Sequence, residues 1–255
     1  MVKTLIEAFP SVGRIPDKIQ EDESVLNISE HFYDTIQGEN LSGNPAVFLR
    51  LQNCTLNCVW CDTSEVWRKG NPYSISELLK MWEQNGIVDR FKNNHRLIIT
   101  GGSPLLQQES ISALITSFIS IYGFKPKIEI ENECMIKPSY ELSSYVNVWN
   151  NSPKLSNSGM KKEIRYKPNL LWFMSSLSDS YFKFVITSEE DWKEIEEDFI
   201  KPKLLIKSQI VLMPEGVTRE ELQKHYQIVV DIACREGVRM CDRMHVTIWD
   251  KKVGV

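Results

Sequence analysis

Short apolar runs separated by amphipathic stretches recur along most of this chain, and their spacing sets the first expectation about its fold. Residues 45–51, reading PAVFLRL, form the first clear strand, because β-branched, aromatic and apolar side chains follow the turn-rich Gly43-Asn44-Pro45. Upstream, 26–37 alternate loosely and end in a turn around Gln37-Gly38-Glu39. Further strands are expected at 96–100, 127–131, 145–150, 181–187, 208–212 and 244–249. Between them apolar positions return every three to four residues, the period of a helix with one buried face. Such helices are expected at 74–86, with Ser74 or Ser76 as N-cap and Gly86 as stop, and at 105–122, with Leu106, Ile111, Leu114, Ile115, Phe118 and Ile119 in the stripe. Others are expected at 169–177, at 189–199 and at Arg219–Glu236, where Gly237 supplies the cap.

Strand and helix therefore alternate, which predicts an α/β fold with a mainly parallel sheet and helices outside. Seven strands after residue 44 are too few for a closed eight-fold barrel, so an incomplete, partial (β/α) barrel is expected. Residues 1–25 read as an N-terminal extension with weak structure and 26–255 as a single domain. The polar, basic stretch near 155–167 reads as a surface excursion.

Charge narrows the partners. Thirty basic and 34 acidic residues give a net charge of −4 in 255 residues, with no like-charge block long enough to follow a phosphate backbone, so nucleic acid is not expected as a direct partner. No apolar run is long enough to span a membrane and no signal segment is recognisable, which predicts a cytoplasmic protein. Six cysteines, three of them within eight positions, suit a reducing compartment better than a disulfide scaffold.

Those three cysteines lie in LQNCTLNCVWCDT, where Cys54, Cys58 and Cys61 stand at C-x3-C-x2-C directly after the first strand. Thiolates are soft ligands suited to iron–sulfur clusters, and three of them hold three irons of a [4Fe–4S] cubane while leaving the fourth open. Zinc is the poorer reading, because no second C-x2-C pair or nearby histidine completes a four-ligand site. The three thiols could also be structural or redox-inert.

C-x3-C-x2-C with an aromatic residue, Trp60, before the third cysteine resembles the signature of radical S-adenosylmethionine enzymes. Within that superfamily the chain resembles 7-carboxy-7-deazaguanine synthases over about residues 26–255. The matching strings, in order, are Gln37-Gly38-Glu39, 46–51, Trp60-Cys61-Asp62-Thr63, Thr100-Gly101-Gly102, Ser152-Pro153-Lys154, Lys183-Phe184-Val185, Met213-Pro214-Glu215-Gly216 and Arg243-Met244-His245-Val246. The resemblance implies the partial barrel already expected. It also implies the rearrangement of 6-carboxy-5,6,7,8-tetrahydropterin to 7-carboxy-7-deazaguanine with loss of ammonia, in the biosynthesis of queuosine-type 7-deazapurines. A 5′-deoxyadenosyl radical would abstract the C6 hydrogen and later return it, with Mg2+ assisting. A flavodoxin or ferredoxin as electron donor and a homodimer are implied as well.

The implied residues are specific. Cys54, Cys58 and Cys61 hold the cluster, and Thr63 is a magnesium ligand. Trp60, Cys61, Asp62, Gly102, Ser103, Ser152, Pro153 and Lys154 bind S-adenosylmethionine. Ile36, Gln37, Gly38, Arg50, Thr100 and Val255 bind the substrate, Arg50 by its planar fork on the substrate carboxylate. From the residues alone, Thr63 could equally cap the loop after the cysteines, and Arg50 could face solvent on an edge strand. Three departures from the family's pattern stand out: Ser103 where an acid usually follows Gly-Gly, Asn40 where a glycine is usual, and Glu131-Asn132-Glu133 near an expected Glu-Thr-Asn-Gly. They keep a catalytically impaired cluster- and cofactor-binding homologue in view, beside a glycyl-radical-enzyme activase with the same cysteine spacing. Cys134, Cys234 and Cys241 read as buried free thiols and His245 as a core or pocket-edge residue in an apolar strand. Trp149, Trp172, Trp192 and Trp249 read as core or interface packing.

Overall fold

Alternation along each strand decides which face of the sheet meets the helices and which is left for chemistry. The computed structural model describes residues 1–8, 23–39, 41–250 and 252; Asn40, Val255 and most of the 1–25 extension lie outside the described residues. The strands are β1 (Lys3–Ile6), β2 (Val25–Ile36), β3 (Pro45–Leu51), β4 (Asn71–Ser74), β5 (Arg96–Gly101), β6 (Lys127–Asn132), β7 (Val148–Asn151), β8 (Ser180–Ile186), β9 (Ile210–Pro214) and β10 (Arg239–Met240). They form one sheet in the order β1-β2-β3-β5-β6-β7-β8-β9-β10, with β4 on β2. The β1, β3 and β4 pairings to β2 are antiparallel. Every neighbouring pair from β3 to β10 is parallel. The two edges do not pair among the described residues, so the sheet is the open, partial barrel expected.

On the helix side, Val47, Leu49 and Leu51 of β3, Leu97 and Ile99 of β5, Ile128 and Ile130 of β6, and Phe182, Phe184 and Ile186 of β8 join one apolar core. The alternate positions carry polar groups: Arg50, Thr100, Glu129, Glu131, Asn150 and Lys183. A parallel sheet covered on both faces usually reads as unbroken apolar runs. Here period-two alternation survives because the inner face borders a polar cavity.

The outer helices follow the sequence closely. Ile75–Gln84 starts at Ser74 with a reciprocal Ser74–Glu77 capping box and buries Leu78, Leu79 and Trp82. Gln108–Tyr122 buries Ile111, Leu114, Ile115 and Phe118 and stops at Gly123. Arg219–Glu236 is capped by Thr218 and Glu221 at one end and Gly237 at the other.

Three expectations are corrected. Residues 244–249 form a helix, Met244–Trp249, rather than a strand, because the sheet ends at β10 and six residues of mixed polarity do not fix a period. Within the extension, Lys3–Ile6 is ordered as an antiparallel edge strand on β2. The 155–167 stretch, exposed at 161–164, is also anchored to the body: Leu155, Ser158 and Arg165 are buried, and Arg165 donates to the carbonyls of Lys154 and Met160 while pairing with Glu194. Cys234 and Trp172 are exposed, since both sit on outward helix faces, while Cys134, Cys241, Trp149 and Trp192 are buried as expected.

One buried titratable group belongs to this scaffold. His31 on β2 is fully buried; its Nδ1 contacts the Phe48 carbonyl oxygen at 2.6 Å and its Nε2 accepts from Trp82 Nε1 at 2.7 Å. Nε2 as acceptor makes Nδ1 the donor, which is the neutral ring. Burial pushes its pKa down to about 4 from 6.5. Above pH 6.5 the ring is neutral folded and unfolded, and nothing is lost. As pH falls from 6.5 to about 4 only the unfolded ring gains a proton, and about 3 kcal/mol of stability goes. Urea unfolding between about pH 7 and about pH 4.5 should show a shallower decline for His31→Leu than for wild type. Equal slopes would assign the acid sensitivity elsewhere.

Candidate active site

The carboxyl ends of β3, β5, β6 and β7 converge on one cavity of about 640 Å³, the usual place for a site in parallel α/β sheets. Leu51 ends β3, and the cysteine loop follows at once. Asn53 turns the chain with φ 73°, a left-handed conformation that asparagine tolerates, and its N–H donates to the Trp67 carbonyl. Cys54, Cys58 and Cys61 then line the cavity wall, each half-buried.

The loop is held from two sides. Gly102 packs so tightly beneath it that a Cβ there would lie 2.3 Å from the Asn53 carbonyl oxygen and 2.4 Å from Cys54 Cβ. Ser103 N–H donates to that same carbonyl. From the other side Ser158 accepts from Val59 N–H at 3.0 Å, and Asn157 accepts from Trp60 Nε1 at 3.3 Å. The 155–167 stretch thus orients Trp60, a role its polar composition did not advertise.

These cysteines suit a cluster better than a single ion. Among the described residues no three His, Cys, Asp or Glu groups converge on a point that would hold one metal. Zinc needs thiolates about 2.3 Å from one centre, whereas in a cubane each thiolate takes a different iron. Hydrogen-bond donors already surround the sulfurs: Leu56 N–H to Cys54 at 3.4 Å, Ser103 Oγ to Cys54 at 3.6 Å and Trp67 Nε1 to Cys61 at 3.4 Å. Such donors tune cluster potential. Burial pushes the Cys54 and Cys58 thiols up, and the neighbouring thiols add to it at Cys58.

Of the other expected residues, Trp60, Asp62, Gly102, Ser152 and Lys154 border the cavity. Lys154 Nζ lies 5.3 Å from the Trp60 ring centroid and donates to Ser152 Oγ. Ser103 and Pro153 are buried and do not reach the cavity. The Asp62 carboxylate is taken by Arg243, which also donates to the Gly216 carbonyl at 3.0 Å. Thr63 does not cap with its hydroxyl; its backbone carbonyl receives Val66 and Trp67 N–H, leaving Oγ1 3.8 Å from Cys61 Sγ.

The substrate set borders the same cavity. Ile36, Gln37, Gly38, Arg50 and Thr100 all border the cavity. Arg50 is not on an edge strand: β3 is flanked by β2 and β5, and its Nε donates to buried Glu30 at 2.6 Å. Among the described residues its other guanidinium nitrogens take no hydrogen bond. Gln37 is buried and donates to Glu129 and Glu131, so its amide is held by the protein. Burial pushes the Glu131 carboxyl up, against hydrogen bonds from Thr100 and Gln37 and the attraction of Arg50.

Sequence reasoning missed several members. Trp67 donates to Cys61, Lys183 forms an ion pair with Glu39 inside the cavity, and Arg243 holds Asp62. Lys183 interrupts an otherwise apolar strand, and both Lys183 and Arg243 stand in strings matched to the family, signals that could have marked them. His245 borders the cavity from a helix rather than a strand, with its pKa pushed down to about 4 by burial and by Arg243.

Comparison with known proteins meets this geometry. Residues 37–135 match a family model described as a 4Fe-4S single cluster domain. The 7-carboxy-7-deazaguanine synthase of Methanospirillum hungatei is 31% identical over 175 residues, which cover 68% of this chain and 67% of that protein. This chain belongs to the 7-carboxy-7-deazaguanine synthase family. The synthase of Pyrobaculum aerophilum is 29% identical over 225 residues, covering 87% of this chain and 94% of its own. In fold, the chain is similar to the crystal structure of QueE from Escherichia coli, with a TM-score of 0.61 at 20% identity over 86% of this chain and 94% of that one. Membership in the synthase family displaces the activase reading and accounts for the radical S-adenosylmethionine type of the partial barrel.

Proposed function

We propose that this protein converts 6-carboxy-5,6,7,8-tetrahydropterin to 7-carboxy-7-deazaguanine with loss of ammonia, as a cytoplasmic radical S-adenosylmethionine lyase of 7-deazapurine biosynthesis. The observation that carries this reading is the three-cysteine loop opening into a cavity that Arg50, Thr100 and Glu131 also line, in a chain of the synthase family. A cavity of about 640 Å³ suits a bicyclic substrate beside a nucleoside cofactor.

Cys54, Cys58 and Cys61 hold the cluster, which with S-adenosylmethionine supplies the one-electron chemistry that starts the rearrangement. Trp60, kept in place by Asn157, offers a face to the adenine, and Lys154 offers a positive charge to the cofactor carboxylate. Arg50, held by Glu30, presents its remaining guanidinium nitrogens to the substrate carboxylate. Thr63 Oγ1 would offer an oxygen ligand to Mg2+, which would supply positive charge to the substrate carboxylate. Glu131, whose carboxyl burial pushes up, would hold a proton and give it to the departing amine. A flavodoxin or ferredoxin delivers the electron, and the protein works as a homodimer. No described helix is long and apolar enough to cross a membrane.

Anaerobic reconstitution followed by incubation with 6-carboxy-5,6,7,8-tetrahydropterin, S-adenosylmethionine and Mg2+ tests the proposal, with 7-carboxy-7-deazaguanine and ammonia as expected products. In the same assay Arg50→Lys loses the planar fork and should raise KM about 10-fold or more while leaving the cluster spectrum intact. Removing Mg2+ should lower turnover. An unchanged KM in Arg50→Lys would return Arg50 to a purely structural partnership with Glu30.

A further inference from the structure

Beside Cys54, where β6 ends, lies a carboxylate that the proposed chemistry leaves idle. Glu133 borders the cavity, yet it is 96% buried by its 4% exposure. Its Oε1 accepts from Thr55 Oγ1 at 2.9 Å. Among the described residues its buried Oε2 has no hydrogen-bond partner. A buried carboxylate oxygen left unpaired is costly, so it points to a partner that arrives with a ligand. Thr55 Oγ1 is in turn 3.1 Å from Ser103 Oγ, and Ser103 accepts from Thr55 N–H at 2.9 Å. Thr55 and Ser103 thus fix the Glu133 carboxylate against the first cysteine of the loop, and Ser103, too short and too deep to reach the cavity, leaves the space to Glu133.

Lys154 borders the same cavity, near enough that its charge acts on both Glu133 and Cys54. An acid and a base facing one cavity form a receptor for a zwitterion, which has one group of each sign. We propose that Glu133 Oε2 receives the α-ammonium of S-adenosylmethionine, carrying the negative charge that the chain lacks at Ser103. This rests on the proposed reading of the cavity as a cofactor site.

The test is binding. Calorimetric titration of the anaerobically reconstituted protein compares S-adenosylmethionine with 5′-methylthioadenosine, which keeps the nucleoside but has no amino-acid end. A hydrogen bond to a charged group sets the expected loss, so Glu133→Gln should weaken S-adenosylmethionine by about 10- to 100-fold and leave 5′-methylthioadenosine within about 2-fold. Should Glu133→Gln fail to take up a cluster, as read by iron content and visible absorption, the smaller Glu133→Ala makes the same comparison. Unchanged affinity, or an equal loss for both ligands, overturns the role of Glu133 while wild-type binding keeps the cofactor site. A wild type that binds neither ligand overturns both.

Discussion

Alanine at any one of Cys54, Cys58 and Cys61 abolishes S-adenosylmethionine cleavage in the expected outcome, because on the proposed reading each thiolate holds a different iron and no neighbour can replace it. The next cysteine in the chain, Cys134, is buried on the apolar side of the sheet. Reconstituted wild type should carry about four irons per chain, and the triple alanine variant essentially none. Iron analysis with visible absorption checks this. A triple variant with wild-type iron content would show that the cluster, or whatever iron is bound, lies elsewhere.

Gly102→Ala should be nearly as damaging without touching a ligand. The added Cβ would sit 2.3 Å from the Asn53 carbonyl oxygen and 2.4 Å from Cys54 Cβ, both fixed parts of the loop. Something must shift, and overpacking of this kind costs about 3 kcal/mol. At this chain length that lowers Tm by roughly 6–12 °C. The displaced part carries Cys54, so cluster content should fall in parallel. Gly123→Ala is the control: among the described residues its Cβ meets nothing within 4 Å. A strained φ alone should cost about 1 kcal/mol there and leave the iron in place. Full iron content in Gly102→Ala would mean that the loop accommodates the methyl group freely.

The contrast between these two glycines measures how far the sequence could be read. Strands and helices were legible where period and caps agree, as at Ile75–Gln84 and Arg219–Glu236. The cysteine loop was legible from spacing alone. The polar inner wall was visible only in outline: Glu129, Glu131 and Lys183 alternate with core residues, but alternation cannot say whether the polar face meets solvent or a cavity. That depends on sheet curvature, which arises from all the strands together. The 244–249 helix escaped because six residues fit either period, and the 155–167 packing because its contacts are buried polar groups that composition reads as surface. Arg243 escaped for a related reason, since its partner Asp62 is distant in the chain.

That partnership has a consequence in time. Asp62 and Arg243 are 181 residues apart. At about 5–20 residues per second, Arg243 leaves the ribosome roughly 10–40 s after Asp62. During that interval the cysteine loop exists without the residue that pins its last carboxylate, and without the His245 side of the cavity. Helix–strand units already made can dock meanwhile, because their contacts are closer in sequence. Synthesis and site completion are therefore separate events: the nascent protein first offers an open cradle of three thiols, and only a finished one encloses its substrate.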